Sequence, residues 1–239
     1  MKLDILVIAA HPDDAELGCG GTIAKHVAAG KKVGILDLTK GELGTRGTEE
    51  TRKREAALAG EILGLSFRDN VGLPDGFFQN TKEEQLHIIQ FVRSCQPEIV
   101  ITNAPTDRHP DHGKASQLAY DACFLSGLSK IETKNSDGQL QNAWRPKQFY
   151  SFIQSELIIP DSVIDISDFW EIKMASIKAY QTQFFTKDSE GPQTFISRPE
   201  FLDFLQGRAA EFGNMIGVKY AEGYIAKRYP AVNLLTDLY

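Results

Sequence analysis

The chain has 239 residues, 42% of them apolar and 24% charged, with a formal net charge of −6. This composition suits a globular protein with a substantial core, and the acidic balance excludes a general polyanion binder, which needs a basic face. Three cysteines without a CxxC pair point to reduced thiols and a cytoplasmic location, and the first apolar run is too short for a membrane span and lacks a signal-peptide cleavage pattern.

Apolar runs alternate with amphipathic stretches in a βαβα manner. Residues 3–10 read as a strand, 20–29 as a helix and 32–39 as a second strand, followed by a glycine-bearing loop at 40–47. A helix is predicted over 48–63, with Ala56, Ala57, Leu58, Ile62 and Leu63 as its apolar stripe and Gly64 as its stop. Its basic triplet Arg52-Lys53-Arg54 is short and reads as a solvated helix face rather than a nucleic-acid patch. Residues 66–71 and 98–103 are strands, and 83–95 and 110–124 helices. Nearly continuous apolar strands between helices imply a Rossmann-like α/β fold, a mainly parallel sheet covered on both faces.

The second half is less regular. Strands are expected at 149–154 and 162–166, then a helix to residue 180 capped by Ser167 or Asp168. Ser197-Arg198-Pro199-Glu200 matches a capping box opening a helix that reaches residue 215. Residues 186–194 have the polar, glycine-bearing composition of a mobile loop. No linker or repeat divides the chain, so one domain over 1–239 is expected.

Two predicted strand-ends carry the chemistry. Ile5-Leu6-Val7-Ile8-Ala9 leads into Ala10-His11-Pro12-Asp13-Asp14-Ala15-Glu16, and Ile99-Val100-Ile101-Thr102-Asn103 leads to His109-Pro110-Asp111-His112. Open parallel sheets bind ligands beyond the carboxyl ends of their strands. Either motif alone reads as a turn with a capping aspartate; the two together read as one site. A catalytic zinc takes three protein ligands and keeps a fourth position for water. His11 and Asp14, three apart in a turn entering a helix, can face one side, and His112 can complete the set from the neighbouring strand-end. Spacing alone leaves open whether Asp13 or Asp14 binds the metal.

These segments resemble the LmbE-like, PIG-L-type family of zinc-dependent N-acetylglucosaminide deacetylases. The match lies at 10–16 and 109–112, supported by Thr39-Lys40-Gly41-Glu42 and Arg52-Lys53-Arg54-Glu55. Chain length and the late segment Tyr220-Ala221-Glu222-Gly223-Tyr224 look most like the bacillithiol-pathway branch, whose members deacetylate N-acetylglucosaminyl malate. The resemblance implies His11, Asp14 and His112 as ligands of zinc, or of iron, and Asp13 as general base. It also implies a small amino-sugar substrate and a homo-oligomer, while charge and the short apolar runs argue for no nucleic-acid or membrane partner. The expected reaction is water activation by the metal and Asp13, attack on the acetyl carbon, amine protonation and acetate release.

His109 is the expected second electrostatic group, a protonated imidazole stabilising charge in the transition state. Asp111 either raises the pKa of His109 and orients it, or caps the helix beginning near His112; the two roles are compatible. Arg52 matches a pocket position, where a guanidinium could hold a substrate hydroxyl or a malyl carboxylate. Its alternative is an exposed arginine paired with Glu49 or Glu55. Glu16 reads as a helix N-terminal charge, Glu42 and Arg46 as members of a loop at the pocket rim, and His26 and His87 as structural or surface residues.

Other classes compete. Gly18-Cys19-Gly20-Gly21 after the first strand and Asp37 ending the second sketch a dinucleotide site, but Ile23 stands where the third glycine belongs. Those glycines more simply allow close helix–strand packing. A non-catalytic metal-binding regulator has no need of Asp13 beside the ligands. An amidase of thiol-sugar conjugates would use the same metal set with a different pocket.

Overall fold

The computed structural model describes residues 1–184, 191–229 and 231–237. In chain order the elements are β1 (Ile5–Ala9), α1 (Asp14–Ala28), β2 (Val33–Thr39), α2 (Glu49–Leu63), β3 (Phe67–Leu73), α3 (Lys82–Cys95), β4 (Ile99–Thr102) and α4 (Pro110–Leu125). They continue with β5 (Gln148–Phe152), β6 (Ser162–Asp165), α5 (Trp170–Lys178), α6 (Glu200–Ile216) and β7 (Ala221–Ala226). One seven-stranded sheet has the order β3-β2-β1-β4-β5-β7-β6. β1 to β5 are parallel, while β7 runs antiparallel to both β5 and β6.

Every residue of β1 is buried. Leu6 and Ile8 enter the core shared with α3 and α4, while Ile5, Val7 and Ala9 enter the core on the opposite face, under α1. That two-sided burial is why the strand reads as an unbroken apolar run. β1 lies between β2 and β4, so the chain's direction of travel across the sheet reverses there. The crevice at such a switch point is where open α/β sheets bind ligands, and both histidine motifs follow its two strands.

Three expectations need correction. The first helix begins at Asp14 rather than residue 20 and is broken at Cys19, whose φ and ψ are −145° and 19°. Glycine-rich sequence hides such a helix from propensity, and distant groups complete its hydrogen bonding. Buried Glu222 accepts the N–H groups of Gly21 and Thr22 beyond the break, and Lys173 Nζ donates to the Leu17 carbonyl before it. Second, the chain forms a further strand, β7 (Ala221–Ala226), where alternation predicted none. Third, Ser197 forms no capping box; its hydroxyl accepts the Thr194 N–H at 2.8 Å, and α6 starts without a side-chain cap.

The predicted loop at 186–194 lies mostly outside the described residues. The glycine reading holds: a Cβ on Gly18 would enter the Phe152 ring, and one on Gly21 would meet Ile166. Cys19, Cys95 and Cys123 are free and buried. No helix among the described residues is long and apolar enough to cross a membrane.

Candidate metal centre and active site

β1 ends at Ala9, and a single turn then carries His11 and Asp13 to the start of α1. Asp13 precedes the helix with φ 115°, a left-handed conformation that aspartate tolerates better than most residues but that still costs about 1–3 kcal/mol. The turn is braced from the neighbouring strand. Asn103, just after β4, accepts the Ala10 N–H (2.8 Å) and donates to Asp14 Oδ2 (3.1 Å). His109 begins α4 as its N-cap, its Nδ1 accepting the Asp111 N–H at 3.3 Å.

The predicted residues converge. His11, Asp13, Asp14, Arg52, His109 and His112 all line one cleft of about 490 Å³, a volume typical of small-molecule sites. Asp14 bridges the two histidines, with Oδ2 3.4 Å from His11 Nδ1 and Oδ1 3.2 Å from His112 Nε2. His109 stands beside both rings, its centroid 4.7 Å from that of His11 and 5.3 Å from that of His112. Ligand atoms of His11, His109 and His112 lie within 4.8 Å of one another, as do those of His11, Asp75 and Asp111.

The electrostatics suit a cation. Among the described residues, Asp13, Asp14, Asp75, Asp107 and Asp111 pair with only two permanent cations, Arg52 and Lys114. Without a metal the imidazoles supply positive charge. Burial opposes protonation of His112, but Asp14 and Asp107 outweigh it and push the pKa up to about 9. Burial likewise opposes the charge on His11, and Asp111, Asp14 and Asp75 hold its pKa well above the ordinary value. Asp14, despite burial, is held low by His112 and His11. Protons therefore sit where a divalent ion would balance the same carboxylates, and the His and Asp donors are those zinc or iron accepts. The donor set fits a metal.

Asp13 differs from its neighbour. Burial pushes its carboxyl up to about 7, with Arg52 pulling the other way and Asp14 adding to the rise. Arg52 lies in the pocket, and its alternative reading falls away: it is neither exposed nor paired with Glu49 or Glu55. Buried in α2, it donates to the carbonyls of Pro12 (2.5 Å) and Gly41 (3.3 Å) and to Asp13 Oδ2 (3.3 Å).

Asp111 is also not a cap. Fully buried, it accepts Gly76 N–H and Lys114 Nζ, and its Oδ2 lies 3.4 Å from His11 Nε2. Its charge does act to raise the His109 pKa, but burial and the neighbouring His11 and His112 win, leaving that imidazole below its ordinary value. Glu16 does lie in the first turn of α1, as expected, but it is buried there and paired with Arg68 and Tyr180. Asp37 is engaged by the same Arg68 at 3.0 and 3.2 Å, which removes the acid a dinucleotide ribose would need. Glu42 and Arg46 serve the loop 41–47, Glu42 accepting the Asp75 N–H and Arg46 donating to the Thr182 carbonyl. His26 bonds its own helix at Thr22 O, and His87 is exposed.

Sequence reasoning missed four contributors. Asp75 Oδ1 lies 3.0 Å from His11 Nε2, and Asp107 Oδ2 lies 2.5 Å from His112 Nδ1. Gln154 and Asn103 both donate to the Asp14 carboxylate. Histidine ligands are commonly oriented by such carboxylates. The turn Pro74-Asp75-Gly76 carries no sequence mark of that role, whereas an acid two residues before His109-Pro110-Asp111-His112 was a usable hint for Asp107.

A switch-point cleft with this donor set and a separate buried carboxylate defines a metal-dependent hydrolase. Comparison with known proteins agrees. Residues 6–123 match the family model described as PIG-L: GlcNAc-PI de-N-acetylase. A diacetylchitobiose deacetylase of Thermococcus kodakarensis is 30% identical over 230 residues, spanning 92% of this chain and 81% of that protein. A probable N-acetyl-alpha-D-glucosaminyl L-malate deacetylase 2 of Bacillus subtilis is 28% identical over 200 residues, 77% of this chain and 84% of that one. The crystal structure of a conserved protein from Thermus thermophilus has a TM-score of 0.86 at 37% identity, covering 98% of each chain. The chain belongs to the PIG-L/LmbE family and is an N-deacetylase of the N-acetylglucosamine type.

Proposed function

We propose that this enzyme removes the acetyl group from an N-acetylglucosamine derivative with an acidic aglycone, N-acetylglucosaminyl malate, using zinc. The observation that carries the deacetylase mechanism is the division between adjacent acids. Asp14 is enclosed by two histidines, Asn103 and Gln154, whereas Asp13 lines the cleft with a pKa near neutrality.

His11, Asp14 and His112 would hold the metal, with the His109 ring beside them. A bound zinc ion supplies Lewis acidity towards water and the amide carbonyl. Asp13, ionised, takes the proton from the attacking water and later gives it to the departing amine. Arg52 holds that carboxylate and the Pro12 carbonyl in place, so its role is to fix the base rather than to grip the substrate. His109 Nδ1 accepts a backbone N–H, which places the proton of a neutral ring on Nε2. It can therefore donate a hydrogen bond to charge growing on the carbonyl oxygen without being protonated.

With Arg52 engaged, the cation left for an acidic aglycone is Arg108. It lines the cleft, its guanidinium lies 4.3 Å from the centre of the Phe195 ring, and it forms no ion pair among the described residues. A second reading has its own observation: Phe77 lines the same cleft 73% exposed, a face on which a second sugar ring of diacetylchitobiose could stack.

The test is amine release from N-acetylglucosaminyl malate, diacetylchitobiose and N-acetylglucosamine by zinc-loaded and chelated protein, with Asp13→Ala as control. Metal-dependent release favouring the malyl glycoside and lost in the control is expected. Preference for diacetylchitobiose would replace the substrate but keep the mechanism. No release from any of the three at stoichiometric metal would overturn both.

A further inference from the structure

Asp75 takes no part in the chemistry above, yet it touches both the metal centre and the cleft wall. It sits in the turn after β3 and is buried. One oxygen, Oδ1, lies 3.0 Å from His11 Nε2; the other, Oδ2, accepts the Leu43 N–H at 3.0 Å. Its own N–H donates to Glu42 Oε1 at 2.8 Å. Leu43, Gly44 and Thr45 form one wall of the cleft. A single carboxylate thus holds the histidine with one oxygen and the loop with the other.

The same arrangement fixes the chemistry of His11. A carboxylate on Nε2 keeps the proton there and leaves Nδ1, which faces Asp14 at 3.4 Å, as the metal-binding atom. Asp111 also approaches Nε2, but at 3.4 Å and with the same oxygen already accepting Gly76 N–H. Asp107 performs the matching service for His112, bonding Nδ1 and leaving Nε2 towards Asp14. It differs from Asp75 in that its second oxygen holds the backbone of Ser155 and Glu156, beyond β5.

We propose that Asp75 is a positioning residue that sets which nitrogen of His11 binds the metal and couples metal occupancy to the seating of loop 41–47. The inference rests on His11 being a metal ligand. Replacing Asp75 by Asn retains an acceptor for Leu43 N–H but turns an N–H donor towards His11 Nε2. That favours the opposite tautomer, with the proton on the nitrogen the metal needs.

The test uses the full chain, with zinc itself as the probe. Chelator competition should show zinc affinity falling by about 10–100-fold in Asp75→Asn, as loss of an orienting carboxylate typically does. In the zinc-loaded wild type, ¹⁵N-detected imidazole spectra should show His11 bound through Nδ1 with Nε2 protonated. Hydrogen exchange at Leu43–Thr45 should slow on zinc loading in the wild type and lose that response in Asp75→Asn, while exchange in β1 and β4 stays as in the wild type. Zinc affinity within about twofold of wild type, coordination through Nε2, or loop exchange indifferent to zinc would each overturn the inference. His11→Ala separates the two claims. Zinc binding that survives it removes the ligand assignment itself, whereas loss there with an unaffected Asp75→Asn removes only the role of Asp75.

Discussion

Asp13 combines three unfavourable features: a left-handed backbone, burial and a neighbouring carboxylate. Each costs stability, and together they hold the Asp13 carboxyl near neutrality at the cleft wall, the range the proposed base requires. Asp13→Asn is expected to keep stoichiometric zinc and lose about 10²–10⁴-fold in turnover, checked by metal analysis alongside kcat. Arg52 sets the other side of the balance. Because its guanidinium lowers the Asp13 pKa, Arg52→Met should move the acid limb of the kcat/KM profile to higher pH. A profile that keeps its midpoint while losing only amplitude would contradict that role. The pair Asp13-Asp14 was visible in sequence, but spacing left its division of labour open and only the family resemblance assigned it. The two environments differ because Asn103 and Gln154 close on Asp14 and Arg52 on Asp13, from elements far apart in the chain.

At the scale of elements, α1 carries the site on a helix that cannot complete its own hydrogen bonds. Lys173 from α5 and Glu222 from β7 do so across the break at Cys19, and they pair with each other at 2.5 Å. Breaking such a buried pair leaves an uncompensated charge and costs about 3–5 kcal/mol. Gly18 shows the same tight fit, since the Phe152 ring occupies the space of its missing Cβ. Gly18→Ala should therefore destabilise by about 1–3 kcal/mol, read as a lower denaturation midpoint with unchanged slope. The parallel half of the sheet was legible because its central strands β1 and β2 are buried along their whole length and its strands are punctuated by amphipathic helices. α1 was misplaced because glycine and aspartate are poor helix formers and its supports lie far downstream in the chain. β7 was illegible for a related reason: Ala221-Glu222-Gly223 has low strand propensity, and its buried acid belongs there only because Lys173 meets it.

For the whole molecule, the acid-rich cleft makes stability, metal and pH interdependent. In the metal-free protein the His112 pKa is raised from 6.5 to about 9. A folded pKa above the unfolded one contributes stability that is complete below about pH 6.5 and lost as pH rises through about 9. Asp13 acts in the same sense at lower pH, its rise from 3.8 to about 7 removing stability across that interval. The chelated protein should thus melt at progressively lower temperature between about pH 6.5 and 9. Zinc held by the proposed ligands would reverse the trend, because it would replace the protons on the imidazoles and bind more tightly as they become easier to displace, and tighter binding to the folded state raises its stability. Calorimetry with zinc and with chelator should therefore show the difference in Tm widening with pH over this window. A constant or narrowing difference would mean that the imidazoles are already neutral without metal, and that Asp14 and Asp107 do not hold His112 charged as the geometry requires.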